Sequence, residues 1–322
     1  MCYKNMGNIV FMYSGQGSQY YQMGRILFDE NSMFNNCMRE LDSIAYKFGG
    51  YSIIERLFDK TRKISEAFDD IRYSHPAIYM VECSLTKMMN NEGIFPDYVF
   101  GTSLGEICAM VASGVLTMED GMTIVMRQAT DLYEKVPQDY GIMTILKESD
   151  FYYQNELLHN YTELIAQNYE QHFVVSGHSD ELFLLEQILK RDGNRCQILP
   201  IHYAFHSRYI EKEKNLIANS YDGIKLKKPK CTYISGINGN VMELLPPDYI
   251  WNVMRNRMNV PNGIEYLECS GPKIYIDLGV GGTMGSFARR NLKRESDSVI
   301  NSIVTPLGNE YNNFNRTINS FK

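Results

Sequence analysis

The chain has 322 residues, a length suited to about two domains or one large one, which excludes a disulfide-stapled mini-protein or a lone helix. Hydrophobic residues make up 44% and charged ones 22%, the balance of a packed chain and not of a disordered one. With 32 Lys+Arg against 38 Asp+Glu the net charge is −6, so no basic field exists to draw nucleic acid or an anionic membrane.

In chain order, Ile9-Val10-Phe11-Met12-Tyr13 reads as a first strand, too short for the apolar region of a secretory leader. Helical periodicity follows over residues 77–89, then an apolar run at Tyr98-Val99-Phe100-Gly101, then helical patterns over 104–112 and 122–133. From residue 140 the rhythm changes: a strand over 142–146, a helix over 151–158, a strand over 173–176, a helix over 181–190 and a short apolar piece over 197–199. A last strand is predicted over 274–278. This alternation predicts an α/β fold, with residues 140–201 inserted into a larger domain made of residues 1–139 and 202–322. No run approaches 18 consecutive apolar residues, so no membrane span is predicted. The seven cysteines, Cys2, Cys37, Cys83, Cys108, Cys196, Cys231 and Cys269, are scattered without metal-ligand spacing, which predicts a reduced, cytoplasmic setting and no metal.

Gly101-Thr102-Ser103-Leu104-Gly105-Glu106 lies between the strand and the helix predicted around it, the context of a nucleophile elbow. Glycine on both sides of Ser103 admits the sharp turn, and the helix start leaves N–H groups free for a developing oxyanion. A serine hydroxyl needs a base, and the chain offers His75, His159, His172, His178, His202 and His206. The three between 159 and 178 sit among polar residues and read as turn or surface positions. His206 follows an apolar approach, Tyr203-Ala204-Phe205, and precedes a polar break, which sets it ahead of His202 and His75 without excluding either.

Four motifs in order, Phe11-Met12-Tyr13-Ser14-Gly15-Gln16-Gly17-Ser18-Gln19, Ser74-His75-Pro76-Ala77, the elbow, and Ala204-Phe205-His206-Ser207, resemble the malonyl-CoA:acyl carrier protein transacylases. Ala166-Gln167-Asn168, Ser235 to Gly239 and Ile276-Asp277-Leu278-Gly279 extend the resemblance over nearly the whole chain. It implies an α/β-hydrolase-like core interrupted by a small ferredoxin-like subdomain. It also implies Ser103 as acyl-accepting nucleophile, His206 as base, and the backbone N–H groups of Gln16 and Leu104 as oxyanion donors. The implied chemistry is ping-pong and needs no cofactor. An acyl carrier protein is the implied partner, with acyl-CoA a further acyl donor, and Asn168 is implied to support the cleft. A basic surface for an acidic carrier could come from Arg208, Lys212, Lys214, Lys225, Lys227 and Lys228, but Glu211 and Glu213 interleave with them, as in a solvated charged segment.

The departures from the family are informative. Its dicarboxylate-specific members hold the substrate carboxylate with an arginine on the helix after the elbow, and the matching residue here is Gln128. Arg127 is adjacent, but Gly121, Val125, Gln128 and Leu132 share one helical stripe, whereas Arg127 lies with Asp120, Thr123, Asp131 and Glu134 on a polar one. Arg127 is therefore predicted to face outward and pair with Asp131. A neutral amide for a bidentate cation costs a dicarboxylate about 1.5–3 kcal/mol. This departure resembles the trans-acting acyl hydrolases of polyketide assembly lines and points to removal of monoacyl groups from carrier-protein thioesters. Thr102 and His75 also depart from the family and are predicted to reshape the acyl pocket together with Phe205. Tyr203-Ala204-Phe205-His206 resembles the malonyl-type motif instead, which keeps a malonyl- or acyl-CoA transacylase as the alternative.

Overall fold

The computed structural model describes residues 8–321, so Cys2 lies outside the described residues. In chain order the strands are β1 (Ile9–Tyr13), β2 (Tyr98–Gly101), β3 (Tyr140–Ile145), β4 (Thr162–Tyr169), β5 (His172–His178), β6 (Cys196–Ile198), β7 (Thr232–Ile234), β8 (Met258–Asn259), β9 (Ile274–Asp277) and β10 (Val299–Ser302). The first sheet is parallel throughout, in the order β10-β9-β1-β2-β7. Central β1 is apolar at every position because both of its faces are covered: Val10 and Met12 pack with Phe100 and Tyr275, while Phe11 and Tyr13 pack with Val99 and Ile276 on the other side. The chain is thus α/β, with helices Ser32–Gly49, Ile71–Asn91 and Met118–Lys135 packed on one another beside the sheet.

The second sheet has the order β6-β3-β5-β4-β8. β3 to β6 follow a β-α-β-β-α-β path and pair antiparallel, and β8, which comes from later in the chain, adds to β4 in parallel. One face of this sheet has its own core, in which Met143, Ile145 and Val175 meet Leu182, Leu185 and Leu189 of the helix Ser179–Arg191. Ile142, Ile165 and Val174 on the other face join the core of the larger body.

The short strands β7, β8 and β10 and the helices Ser32–Gly49, Val260–Cys269 and Glu310–Asn319 lie outside the sequence-based expectation, and three further differences have a local physical reason. β4 is unforeseen because bulges between Leu164 and Ala166 and between Gln167 and Tyr169 break its inward–outward alternation. The helix predicted over 151–158 is two short helices, Asp150–Gln154 and Glu156–Tyr161, because Asn155 is extended and its side chain caps the second by accepting from the Leu158 N–H at 3.1 Å. The helix predicted from residue 77 begins at Ile71, capped by Asp70, and carries Pro76 inside it, so proline here interrupts the helical bonding without starting the helix. Among the described residues no helix is long and apolar enough to cross a membrane.

The turn from β2 into the helix Gly105–Ala112 lies against the end of β1, and a Cβ at Gly105 would stand 2.4 Å from the Tyr13 carbonyl oxygen. Backbone on both sides leaves no flexible neighbour to yield. Gly105→Ala is therefore expected to destabilise the protein by about 1–3 kcal/mol or more, read as a lowered midpoint in urea unfolding; an unchanged midpoint would contradict this packing.

Candidate active site

Ser103 occupies the β2-to-helix turn with φ +55°, a left-handed backbone that L-residues rarely adopt and that commonly marks a functional constraint. Its Oγ lies 2.8 Å from His206 Nε2. His206 also has positive φ, +62°, and is fixed from the segment that ends the helix Tyr249–Arg255. Its backbone N–H donates to the Met254 carbonyl at 2.8 Å, and its Nδ1 lies 3.1 Å from the Asn256 carbonyl. A carbonyl can only accept, so Nδ1 carries the ring proton and Nε2 is left to accept from the serine hydroxyl. Among the described residues no carboxylate is hydrogen-bonded to His206, and orientation comes from the backbone.

His206 is 6% exposed, and this desolvation pushes its pKa down to about 4, with its backbone bonds at Asn256 and Val253 pulling the other way. The imidazole is neutral near pH 7 and can take a proton from Ser103.

The backbone of Gln16, just after β1, is brought beside the serine by Gly15, where a Cβ would stand 2.8 Å from both Ser103 Cβ and the Thr102 carbonyl oxygen. The N–H groups of Gln16 and Leu104 have no protein acceptor among the described residues. Both follow the carboxyl ends of neighbouring parallel strands, the usual position of ligand sites in such sheets. The Ser103 N–H instead faces Met258 Sδ at 3.5 Å.

Two cavities meet at Ser103. The smaller, about 20 Å³, is lined by Gln16, His75, Leu104, Gln128, Phe205 and His206 among others. The larger, about 250 Å³, runs between the two sheets past Thr102, Ala166, Asn168, Phe205 and Phe287. Thr102 thus lines the wider groove and not the small cavity that holds His75 and Gln128. Asn168 is buried, its Nδ2 lies 3.3 Å from His172 Nδ1, and its carbonyl accepts from Asn291 Nδ2 at 2.7 Å.

The stripe of Gly121, Val125, Gln128 and Leu132 is buried as its helical phase predicts. Arg127 corrects its own expectation. Lys135 takes Asp131, and the half-buried Arg127 points one guanidinium nitrogen at the Ser220 carbonyl at 3.4 Å. His172 corrects another: it is buried in the groove wall and its pKa is pushed down to about 4 by desolvation, whereas His159 and His178 are exposed as predicted. His202 stands 3.3 Å from Asp69, away from the serine. Of the charged segment after His206, Arg208 and Lys212 are paired with Glu163 and Glu213.

Two supports went unread in the sequence. Glu106, buried three residues after Ser103, accepts from Tyr233, from Gly236 N–H at 2.5 Å and from Tyr249 at 3.2 Å. Desolvation outweighs these bonds and raises it to about 7. Glu82 accepts from the backbone N–H of Ser14 at 2.9 Å and its hydroxyl at 2.8 Å, anchoring the loop that leads to Gln16. The signal for Glu82 was a lone acidic residue directly after the apolar run Ala77-Ile78-Tyr79-Met80-Val81 in the helix Ile71–Asn91.

The chain belongs to the acyl transferase family, whose domain model matches residues 10–319. It is 38% identical over 315 residues to the polyketide biosynthesis acyltransferase homolog PksD of Bacillus subtilis, covering 98% of this chain and 96% of that one. It is 34% identical over 302 residues to the homolog BaeD of Bacillus velezensis, with 94% and 93% covered. The fold matches the crystal structure of FabD from Acinetobacter baumannii with a TM-score of 0.82 at 17% identity, covering 98% and 99% of the two chains.

A histidine pKa depressed in the folded state keeps the neutral base available until pH falls through that lower value. The acid limb of kcat/KM is therefore expected near pH 4, well below the usual histidine range around 6.5. A pH–rate profile on a protein shown to remain folded checks it; a limb at about 6.5 would contradict the buried, neutral His206.

Proposed function

We propose that the protein is a serine-dependent acyl hydrolase that removes monoacyl groups from acyl carrier protein thioesters in polyketide biosynthesis. The observation that carries this reading is the character of the site walls. Neither cavity at Ser103 is lined by a lysine or arginine among the described residues, and Gln128 faces the small one. A malonyl carboxylate would enter there without a counter-charge, at a cost of about 1.5–3 kcal/mol relative to a bidentate guanidinium. The pathway is suggested by the two Bacillus homologs, whose names place them in polyketide biosynthesis and whose lengths this chain nearly matches.

In this mechanism Ser103 Oγ attacks the thioester carbon while His206 Nε2 takes its proton. The Gln16 and Leu104 N–H groups receive the oxyanion. The carbon–sulfur bond breaks, His206 passes the proton to the leaving thiolate, and an acyl-serine ester remains. Water then adds to the ester carbon, giving its proton to His206, and the carbon–Oγ bond breaks as Oγ recovers that proton. Free acid and unloaded carrier leave. Thr102, Asn168 and Phe205 line the approach to the serine, and His75 and Gln128 bound the acyl end.

The same reading takes the parallel-sheet body as an α/β-hydrolase-like core and residues 140–201 as its ferredoxin-like insert. The order β6-β3-β5-β4 on a β-α-β-β-α-β path supports that division. A second reading, transfer of the acyl group to a carrier, is favoured by the word acyltransferase in the names of both homologs.

The two separate in one assay, with free acid and loaded carrier measured side by side from acetyl and malonyl thioesters. Wild type is expected to release acetate faster than it loads malonyl, and Ser103→Ala to abolish both. Gln128→Arg should raise malonyl acylation at least about tenfold, the equivalent of one well-formed ionic contact. Malonyl loading by wild type that outruns acetate release would overturn the hydrolase.

A further inference from the structure

The small cavity at Ser103 closes on two side chains with unused polar atoms. His75 and Gln128 are 4% and 3% exposed, and neither His75 Nε2 nor Gln128 Nε2 has a hydrogen-bond partner among the described residues. Buried polar nitrogens are nearly always satisfied, and one left orphaned in a native site calls for an explanation. Both belong to the same wall, whose other members include the apolar side chains of Ile107, Phe205, Ile250 and Met254.

Gln16 fixes what His75 presents. The Gln16 amide donates from Nε2 to His75 Nδ1 at 3.0 Å, so the ring proton sits on Nε2 and points away from Gln16. Burial keeps this ring neutral, lowering its pKa to about 4 against the opposing pull of a contact with the Gln128 side chain that is too long or too bent to satisfy either orphaned nitrogen. The cavity therefore offers two uncharged donors, an imidazole N–H and an amide NH₂, and no cation. At about 20 Å³ it admits only the first atoms of a chain attached to the serine.

We propose that His75 and Gln128 form a two-donor site for a single uncharged oxygen on C2 or C3 of the acyl group, so that the enzyme selects hydroxyacyl or ketoacyl chains over their alkyl equivalents. The proposal rests on the reading that Ser103 takes up a monoacyl group. A hydroxyl or ketone oxygen satisfies both donors without bringing a charge that needs a partner. An alkyl chain of the same length leaves both donors buried and unpaired, the situation in which a site built to bond an oxygen rejects the analogue lacking it. A carboxylate gains the hydrogen bonds but lacks a counter-charge.

The test reads acylation of Ser103 by intact-protein mass spectrometry, using 3-hydroxybutyryl, 3-oxobutyryl and butyryl thioesters of one carrier protein. Wild type is expected to acylate with either oxygenated chain at least about tenfold faster than with butyryl at subsaturating substrate. That ratio should fall toward one in Gln128→Leu and in His75→Phe, each checked for a cooperative melting curve. Where a variant does not fold, the wild-type ratio decides. Acylation of wild type without discrimination, or a ratio that survives both substitutions, overturns the two-donor site alone. Because acylation precedes the choice between water and thiol, its selectivity does not depend on which of them resolves the ester. No acylation by any of the three overturns the role of Ser103, and the site with it.

Discussion

Ser103 and His206, 103 positions apart, meet across 2.8 Å with left-handed backbone on both sides of the contact. Neither conformation persists by local preference, and each is over-determined by its surroundings. On the serine side, the Thr102 N–H is tied to the Tyr13 carbonyl at 3.1 Å and the elbow packs directly on the end of β1. On the histidine side, two carbonyls from residues 254 and 256 hold the main chain and the ring. The parallel sheet supplies the first restraint and the helix Tyr249–Arg255 the second. The rest of the molecule determines what can approach this pair.

The carboxyl groups that brace the pair are buried, and their linkage to pH opposes that of the histidines. Glu82 is raised to about 8 and Glu106 to about 7 by desolvation, so their contribution to stability is fully present below the ordinary carboxyl range and is lost as pH rises through the raised values. His75, His172 and His206 are lowered to about 4 by the same cause. The unfolded chain protonates these rings first, and stability falls as pH drops below their ordinary range. The protein is thus penalised in both directions by groups kept uncharged inside it. In the mechanism proposed above, the same dryness that shifts these groups would also strengthen hydrogen bonds to an oxyanion at the serine.

How much of this was legible in the sequence depends on whether the signal was local. The elbow announced itself because a strand, two glycines around a serine and a helix start lie within ten residues. The burial of Gln128 followed from helical phase alone, whereas the half-burial of Arg127, expected to face outward, did not. That Arg127 would face a backbone carbonyl and not Asp131 did not follow either, because Lys135 competes for Asp131 and Ser220 arrives from elsewhere in the chain. The acceptor that orients His206 is a backbone carbonyl, a group every residue carries, so no residue type marks it. β4 was hidden because its bulges erase the period of two by which a strand is recognised. The contact of the Gln16 side chain with His75 joins two motifs that had been read separately, one for its main chain and one for its departure from the family.

Met258 belongs to two neighbourhoods at once. In β8 it extends the second sheet alongside β4, and its sulfur meets the backbone N–H of Ser103 at 3.5 Å. The groove between the sheets and the seat of the serine therefore share this residue. One side chain is thus part of both the groove wall and the seat of the serine, and a change at residue 258 would be felt in each.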